Sequence, residues 1–438
     1  MRSAGATFVF AAFVGLAAMA TPLSIEVQSR TQDEITFYKD VLPILQQNCQ
    51  TCHRDGGGEN IGGTIAPMSL VTYDEVRPWA RSIRRKVESR EMPPWFATDH
   101  TKGVFYNERG LTDAEIAIVS HWESAGAPAG RSSDAQAAPL FNEENFDGWT
   151  LGQPDLVVSL PEPYLVEDDV NDKNIQFDTL IPESDLPEGV WVQGIEFKAG
   201  SSVVHHICAA AIPADRIDTD KSSGAAGESS LGCIAPGAES RLLPAGHGFY
   251  IPKGATIRFN MHYHKEPGSG TSAVDESQIA FIFNKTPVEH KVVFNPIPNN
   301  GFEIPPGHAN WKVGSAKTFE KDTTILALWP HAHLRAVASQ YWAFYPDGAK
   351  ELLLDVPKYD QDWQTTYKYT EPKQIPAGTR LEVLFWYDNT PERAARLEFD
   401  SARAVKFGTR TVDEMMLGYI NYTDTEPQAA DSLTDGQE

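Results

Sequence analysis

The sequence predicts a multidomain protein in which an all-helical unit (residues 33–130) precedes two tandem all-β, jelly-roll-like sandwich domains (149–290 and 291–425). Three observations predict this class. Helix-capping boxes and a helical apolar stripe lie in the first unit. From Trp149 onward, short apolar runs alternate with Pro and Gly turns, which is typical of sandwiches. One stretch of the β region also occurs twice, which favours two related domains over one large sheet.

The two ends of the chain carry signals of their own. Residues 1–20 are predicted to be a secretory signal peptide, because Arg2 is followed by an apolar stretch and a small-residue cleavage pattern that ends at Ala20. We therefore expect a secreted or periplasmic protein. Residues 426–438 are predicted to form a disordered acidic tail.

Charge and hydropathy limit the partners. The formal net charge of −23 argues against nucleic acid and anionic membranes, since both are negatively charged. No run after the signal peptide is apolar and long enough to span a bilayer. We expect a soluble protein without a membrane span.

Local signals place the helices of the first unit. The pairs Thr72–Glu75 and Thr112–Glu115 have the spacing of capping boxes. Asp40 is predicted to be the N-cap of a helix that leads to the cysteines described next. Pro78 should kink or restart the second helix, and Gly126 should end the last one.

Residues 48–53, "NCQTCH", contain the C-x-x-C-H signature of covalent c-type haem attachment. Cys49 and Cys52 would form thioethers to the haem vinyl groups, and His53 would bind the iron. A thioredoxin-like redox pair and a zinc site are the alternatives. A thioredoxin motif normally opens a helix within a βαβ unit, and a zinc site needs further cysteines nearby. Neither feature is visible in the sequence, so we predict a cytochrome c domain.

The sixth ligand of such a haem is predicted to be a methionine thioether, which raises the haem potential in electron carriers. Met92 stands before two prolines in "MPPW", 39 residues after His53, and Met68 is the rival. We favour Met92, because Met68 lies close behind the haem motif and is expected to pack. The unit resembles c-type cytochrome domains that are fused to exported bacterial oxidoreductases, in which "MPPW" is a recurrent loop.

The β region follows a linker, residues 131–148, that is rich in Ala, Pro, Ser and acidic residues and has no helix or strand period. Its internal repeat pairs "IPKGATIRFNMHYH" (251–264) with "IPAGTRLEVLFWYD" (375–388) without gaps. The apolar positions of the two copies alternate in step. This pattern predicts duplicated sandwich domains.

Histidines occur as three pairs in strand-like runs: His205 with His206, His262 with His264, and His331 with His333. Residues two apart in a strand share a face, whereas adjacent residues point to opposite faces. His205 and His206 can therefore bind one metal only at a bulge or strand end. Imidazole suits copper, zinc or iron. The solitary histidines are expected to be structural or solvated: His100, His121, His247, His290 and His308.

Four motifs in order carry a more specific resemblance: "VVHHIC", "NMHYH", "WPHAHLRA" and "VDEMMLGYINY". The order His-His, His-Tyr, His-x-His and Asp-Glu-Met resembles the ascorbate-dependent type II copper monooxygenases, the family of the peptidylglycine α-hydroxylating and dopamine β-monooxygenases. The motifs span about residues 149–425 with domain-sized separations.

The resemblance implies two copper ions, one in each sandwich. The first site, an electron-transfer centre, would consist of His205, His206 and His262. The second site, where O2 binds, would consist of His331, His333 and Met415. The Asp-Glu-Met match selects Met415 rather than Met416, and a soft thioether favours Cu(I). His264 would be an outer neighbour of the first site or a surface residue.

The other two cysteines, Cys208 and Cys233, lie 25 residues apart in one β-domain of a chain that is predicted to be exported. A disulfide is the default for such a pair. Cys208 follows His206 by two residues, so the bridge is expected to stiffen the first copper site.

The resemblance also implies hydroxylation of a C–H bond with O2. Tyr419 matches a substrate-side tyrosine of the family. Trp329 and Pro330 stand where the peptide-hydroxylating members have an arginine, and Leu417 stands where a polar residue is expected. These departures favour a small apolar or aromatic substrate over a peptide C-terminus.

Each turnover would need two electrons, and we expect the haem to deliver them from a reductant or an electron-transfer protein. Two other functions fit the same motifs. One is a non-catalytic haem and copper protein for electron transfer or redox sensing. The other is a copper-handling protein, in which the cytochrome sets the oxidation state.

Overall fold

A computed structural model gives the fold of residues 35–54, 66, 68–139, 149–217, 219, 227, 229–235, 240 and 242–424. The predicted signal peptide, the second half of the predicted linker and the predicted acidic tail lie outside these described residues. No helix within the described ranges has the length and apolar character needed to span a membrane.

The first 100 described residues contain short helices and no regular sheet. The α-helices are α1 (Leu42–Asn48), α2 (Tyr73–Val76), α3 (Ala80–Glu88) and α4 (Asp113–Ser124), and a further helix, α5 (Pro391–Leu397), lies in the β region. A π-helical turn at Phe37–Val41 precedes α1, and a 3-10 turn at Arg77–Trp79 separates α2 from α3. The rings of Phe37 and Trp122 pack at the centre of this part, 6.0 Å apart.

Most local helix predictions are confirmed. Thr72 and Thr112 each form a complete capping box, α4 ends before Gly126 at φ +88°, and Pro78 lies in the 3-10 turn that interrupts the second helix. The prediction that Asp40 is an N-cap is wrong. The helix begins earlier, at the buried Phe37, and the Asp40 carboxylate accepts a hydrogen bond from the Thr36 N–H within the π-turn.

The rest of the described chain is β-rich, as predicted. The strands are β1 (Leu156–Ser159), β2 (Tyr164–Val166), β3 (Asp172–Leu180), β4 (Val190–Lys198), β5 (Val204–Ile212), β6 (Ser230–Ile234), β7 (His247–Ile251), β8 (Thr256–His264), β9 (Ala273–Asp275), β10 (Gln278–Phe283), β11 (His290–Lys291), β12 (Val293–Pro298), β13 (Glu303–Ile304), β14 (Trp311–Thr318), β15 (Thr323–His331), β16 (Ala336–Phe344), β17 (Lys350–Val356), β18 (Tyr367–Ile375), β19 (Arg380–Tyr387), β20 (Val405–Lys406) and β21 (Leu417–Asp424).

Seventeen of these strands form two sandwiches whose strand orders match, except that the edge strand β11 has no counterpart. The first has the sheets β1-β10-β4-β7-β11 and β3-β8-β5-β6. The second has β12-β21-β15-β18 and β14-β19-β16-β17. The repeated sequences occupy equivalent places, since β8 and β19 are inner strands and each follows a turn with a left-handed glycine, Gly254 at φ +62° and Gly378 at φ +86°.

Strand β15 joins the two halves because both of its faces are covered. Every residue in it is buried. Ile325 and Leu328 pack into the core of the second sandwich, whereas Leu326 and Trp329 pack into the core of the first. His331, two residues after Trp329, lies on the face towards the first sandwich. This double burial explains why the run around His331 is apolar on both faces.

Candidate metal centre

A β-bulge at His205 brings two adjacent imidazoles together. Val204 pairs with Tyr263 and His206 pairs with His262, so β5 advances two residues while β8 advances one. The extra residue is His205, and the bulge turns its side chain out of the regular alternation. Of the two arrangements that would let adjacent histidines share a metal, a bulge or a strand end, the bulge is present.

The three histidines of the predicted first site form one group. The Nδ1 atom of His206 lies 3.3 Å from Nδ1 of His205 and 3.2 Å from Nδ1 of His262. One ring nitrogen from each residue lies within 4.8 Å of the other two. Over the described ranges this is the single group of three histidine, cysteine or acidic side chains at such distances.

Asp172 orients His262 from outside the group. Its Oδ1 lies 2.9 Å from Nε2 of His262, and its Oδ2 accepts a hydrogen bond from the Thr411 N–H of the second sandwich at 2.9 Å. Burial acts to raise the pKa of Asp172, but these hydrogen bonds outweigh it and hold that pKa well below its usual range. An ionised Asp172 accepts the Nε2–H proton, which leaves the Nδ1 lone pair of His262 directed at the group.

The predicted second site lies at the end of β15. Nδ1 of His331 is 2.6 Å from Oε1 of Gln364, and the amide of Gln364 donates to the Gln361 carbonyl. Nδ1 of His333 is 3.3 Å from the Asp413 carbonyl. Both Nδ1 atoms therefore face acceptors, so each ring keeps the Nε2 lone pair for another partner.

The two histidine groups meet across the interface between the sandwiches. The rings of His206 and His331 are 6.0 Å apart, and those of His331 and His333 are 5.6 Å apart. Burial, followed by repulsion from neighbouring histidines, lowers the pKa of His205 to about 3 and that of His333 to about 3. Burial lowers the pKa of His331 to about 4. Neutral imidazoles of this kind are lone-pair donors rather than cations at neutral pH.

Glu414 holds the backbone of the second histidine group. The sequence did not predict this structural role. Glu414 is fully buried and accepts hydrogen bonds from the N–H groups of His333, Arg335 and Met415 at 2.9, 2.6 and 3.2 Å. Burial raises the pKa of Glu414 to about 7, against the effect of these hydrogen bonds. The sequence signal was available, because Arg335 and the adjacent Asp413 and Glu414 are charged residues inside motifs that are largely apolar.

Met415 lies on the segment that runs beside His333. Leu417, two residues later, pairs with His331. Met415 is half-buried and packs against the core of the first sandwich, whereas Met416 is fully buried in the core of the second. The structure thus puts Met415, not Met416, on the face that His331 shares. Its role as a ligand stays a prediction.

An aromatic stack forms one wall beside His331. Tyr419 stacks on Phe294 and on Trp329, with ring centroids 4.7 Å apart in both pairs. The Tyr419 ring lies 6.1 Å from the ring of His331, and burial raises the pKa of its hydroxyl. The predicted substrate role of Tyr419 is untested, but its ring adjoins the second group.

Three further histidines lie beside another histidine in the structure. His264 is exposed, with its ring 6.2 Å from that of His205, as expected for an outer neighbour. His247 and His290, which are solitary along the sequence and were expected to be structural or solvated, lie side by side in the fold. They pair in register on β7 and β11, with rings 4.9 Å apart. Only parallel pairing of distant segments brings them together, so spacing along the chain gave no signal.

The cysteine motif near the start lies at the end of α1. His53 and Cys52 both donate from their N–H groups to the Cys49 carbonyl, at 2.9 and 3.1 Å. Nδ1 of His53 lies 3.2 Å from the Met68 carbonyl. Burial, with the neighbouring Cys52 and Glu115, raises the pKa of the Cys49 thiol to about 12. A redox-active dithiol needs a lowered pKa, so this environment argues against a thioredoxin-like role.

The two candidate sixth ligands differ in placement. The Met68 backbone lies behind His53, on the side of Nδ1, and its side chain packs into the helical core. A haem iron would lie on the opposite, Nε2 side of that ring. Met92 is 40% exposed, outside the core. The position of Met68 argues against it as the sixth ligand, and the assignment of Met92 stays a prediction.

The predicted disulfide is confirmed. Cys208 and Cys233 are bonded and lie directly opposite each other on β5 and β6. The bridge therefore fixes β5 two residues beyond His206.

Comparison with known proteins gives no family. No family model and no curated protein matches the chain. The major capsid protein P2 from Bacteriophage PM2 has 10% identity, covering 63% of this chain and 99% of that chain, with a TM-score of 0.26. The cowpea mosaic virus top component has 6% identity, covering 59% and 91%, with a TM-score of 0.29. PNGF-II has 8% identity, covering 67% and 71%, with a TM-score of 0.26. Similarities this weak bear on neither fold nor function.

Proposed function

We propose that the protein is an exported copper monooxygenase that hydroxylates a C–H bond of a small organic substrate with O2 and takes its electrons through its own c-type haem. One observation carries the proposal. Histidines from all three motifs that resemble copper-monooxygenase ligands converge across the domain interface, with His206 and His331 in adjacent positions, their rings 6.0 Å apart. The disulfide fits an oxidising compartment outside the cytoplasm.

The donor set fits copper. Three imidazoles converge through their Nδ1 atoms at the first site, and imidazole is a preferred ligand of copper. His262 is held by a carboxylate behind the ring, as ligating histidines usually are. At the second site, His331 and His333 keep their Nε2 atoms for a metal, and Met415 would add a soft ligand.

Copper bound at these sites would supply one-electron redox chemistry and the activation of O2. The chain's own residues prepare the sites for it. Asp172 and Gln364 fix the ring orientations of His262 and His331, and Glu414 fixes the backbone of His333. Rigid ligands of this kind hold their geometry as the charge on a metal changes.

The surroundings of His331 favour an apolar or aromatic substrate. Leu417 lies opposite His331 on β21, and the stack of Trp329 and Tyr419 forms the adjacent wall. These side chains are almost fully buried and give the ring of His331 an apolar surrounding that excludes water. No cationic side chain stands in the position where peptide-hydroxylating relatives hold a carboxylate.

The helical part fits a cytochrome c domain. His53 donates through Nδ1 to a backbone carbonyl, which leaves Nε2 for iron, and the thiols of Cys49 and Cys52 lie in the same turn. Haem bound there would exchange single electrons with an external reductant or an electron-transfer protein. Met92 is the proposed sixth ligand.

Metal and haem analysis of the purified protein tests the proposal. We expect one haem and two coppers per chain, and O2 consumption that depends on substrate and reductant. His206→Ala and His331→Ala should each lose one copper, and Met415→Ala should alter the spectrum of the second. His121→Ala, which removes an exposed imidazole on α4, is the matched control. Wild-type protein that binds no copper when supplied with it would contradict the proposal.

A second function is favoured by the burial of the second site. His331 and His333 are only 6% and 5% exposed. A closed pair of metal sites suits a non-catalytic electron carrier, redox sensor or copper-handling protein. Two coppers and a haem without any substrate-dependent O2 uptake would support that alternative, and readily exchangeable copper would select the copper-handling version.

A further inference from the structure

The helical part is joined to the second sandwich by a defined segment, residues 95–107. Backbone hydrogen bonds link Thr98 to Asp355 at 2.9 Å and Thr370 to Val104 at 2.9 Å. Phe105 forms an antiparallel β-bridge with Tyr369. The segment starts three residues after Met92, so the predicted sixth ligand of the haem lies next to this junction.

Aromatic rings fill the junction. The Trp95 ring meets the ring of Tyr367 edge-on at 5.0 Å, and Phe105 contacts both, at 6.3 and 5.5 Å. Asn107 holds the backbone on each side of Tyr367, because its amide donates to the Thr366 carbonyl at 2.8 Å and its oxygen accepts from the Lys368 N–H at 3.1 Å. Asn107 therefore holds the backbone on both sides of Tyr367, which keeps the Tyr367 ring in place against Trp95.

The same strand end reaches the second histidine group. Gln364, three residues before Tyr367, is 1% exposed, and its Oε1 lies 2.6 Å from Nδ1 of His331. The Gln364 carbonyl also accepts from the indole N–H of Trp329 at 3.0 Å. From Trp95 to His331 the connection is one ring contact, three peptide links and one short hydrogen bond.

The first histidine group has a different connection. It touches the second sandwich where the ring of His206 faces His331 and where Asp172 meets Thr411. Electron tunnelling weakens steeply with distance and is favoured along bonded contacts. The route through Gln364 therefore leads to His331 before it leads to His206.

We propose that Trp95, Tyr367 and Gln364 form the electron route from the haem to the metal at the His331 site, and that this site, not the triad, receives the haem electron first. The inference rests on the proposed function. In the step, one electron leaves the ferrous haem iron, which becomes ferric. It reaches a cupric ion held by His331 and His333, which becomes cuprous, and no bond forms or breaks.

Rapid anaerobic mixing tests which site accepts the electron. Full-length protein with cupric ions bound is mixed with a reductant that reduces haem, and haem absorbance and the copper EPR signal are followed. We expect haem reoxidation to persist in His206→Ala and to slow several-fold in His331→Ala. The reverse pattern would overturn the route while leaving the proposed function intact. Wild-type protein that holds no haem or no copper would overturn both.

Substitutions along the route test the path itself. Trp95→Leu should slow haem reoxidation several-fold, whereas Trp95→Phe, which keeps an aromatic ring, should stay near the wild-type rate. Trp79→Leu removes a 40% exposed indole from the helical part and is the matched control. Gln364→Asn shortens the side chain and breaks the bond to His331 with little loss of volume, so it should also slow the reaction.

Metal content, haem spectrum and thermal unfolding are measured for each variant, so that loss of fold is distinguished from loss of the route. Trp95→Leu and Gln364→Asn proteins that hold haem and copper and react at the wild-type rate would overturn the inference.

Discussion

The two sandwiches share a strand order but carry their histidines on different sheets. The first group stands on β5 and β8, whereas the second stands at the end of β15, whose counterpart in the first sandwich is β4. In the internal repeat His262 falls on Trp386, so the duplicated strand holds no second copy of the ligand. The candidate centre was therefore not duplicated with the fold. It arises where two non-equivalent sheets face each other.

The two groups are also oriented by different means. A bulge supplies the first group with its adjacent pair, and a charged carboxylate, Asp172, holds one ring. The second group uses the ordinary alternation of a strand, and the neutral Gln364 holds its first ring. Its backbone depends on the buried Glu414 instead. We expect the two groups to respond differently to loss of their supporting residues.

Glu414→Ala should have the largest effect and should act on the second group. It would leave the N–H groups of His333, Arg335 and Met415 without their acceptor. A buried donor left without a partner costs about 1–3 kcal/mol in the free energy of unfolding, so the loss of this shared acceptor should be the largest effect. Denaturant unfolding measures the loss, and metal analysis should show the triad still occupied.

Glu88→Ala is the control for Glu414→Ala. Glu88 pairs with Arg84 at the surface of α3, so its removal should change the free energy of unfolding little. Equal losses in the two variants would show that Glu414 does not organise the second group.

Removal of the disulfide should come next and should act on the first group. The double variant Cys208→Ala, Cys233→Ala opens the bridge beside β5, and a loop of this size is worth about 3 kcal/mol. The counterpart strands β16 and β17 of the second sandwich carry no cysteine. Reduced unfolding free energy with weaker copper binding at the triad alone is the expected result. An unchanged triad affinity would mean that the bulge keeps its shape without the bridge.

Asp172→Asn should weaken the first site with little effect on the fold. The amide cannot accept both the Nε2–H proton of His262 and the Thr411 N–H as a carboxylate does, and it carries no charge. Loss of such a partner lowers metal affinity roughly 10–100-fold. Metal titration would measure it, with Asp178→Asn on the same strand as control, because Asp178 pairs with Arg258. Equal weakening at both sites would contradict the separate roles of Asp172 and Gln364.

Local patterns predicted much of the fold, because capping boxes, turn glycines and strand alternation act over a few residues. The N-cap at Thr112 and the helix end at Gly126 are examples. The N-cap prediction for Asp40 was wrong because the helical segment begins earlier, at Phe37, which packs into the core. The β7–β11 pairing joins distant segments, so no local pattern could indicate that His247 would meet His290.

The sequence predicted which residue types would form the candidate site. It did not predict how those residues come together in the fold. Histidine spacing gave three pairs, and the motif resemblance implied which of these histidines belong to each group. The 6.0 Å approach of His206 to His331 depends instead on how two sheets pack. Gln364 and Asp172 were missed for a related reason. Each is a single polar residue without a periodic signal, and only the folded arrangement shows what it touches.

The smallest expected effect is on the pH dependence of the free energy of unfolding, and it should be similar for the two histidine groups. The folded-state pKa of His331 is lowered to about 4 by burial, and that of His205 to about 3, from an ordinary value near 6.5. In the metal-free protein, the unfolded state therefore binds more protons between these values. The stability that each buried, neutral histidine contributes is fully present above about pH 6.5 and is lost as the pH falls. Each histidine should account for about 1 kcal/mol between about pH 7 and pH 5.5.

In His331→Ala and in His205→Ala, the fall in unfolding free energy over this pH range should thus shrink by about 1 kcal/mol. Each substitution also leaves a cavity that lowers the free energy of unfolding. This loss is the same at both pH values, so it cancels when each variant is compared with itself. His121→Ala, at an exposed position, is the control. The double variant should shrink the fall by the sum of the two single effects, because both rings stay neutral in the folded state over this pH range and only the unfolded chain takes up protons. A single variant whose fall equals that of the wild type would show that the ring it lacks does not have a lowered pKa in the folded protein.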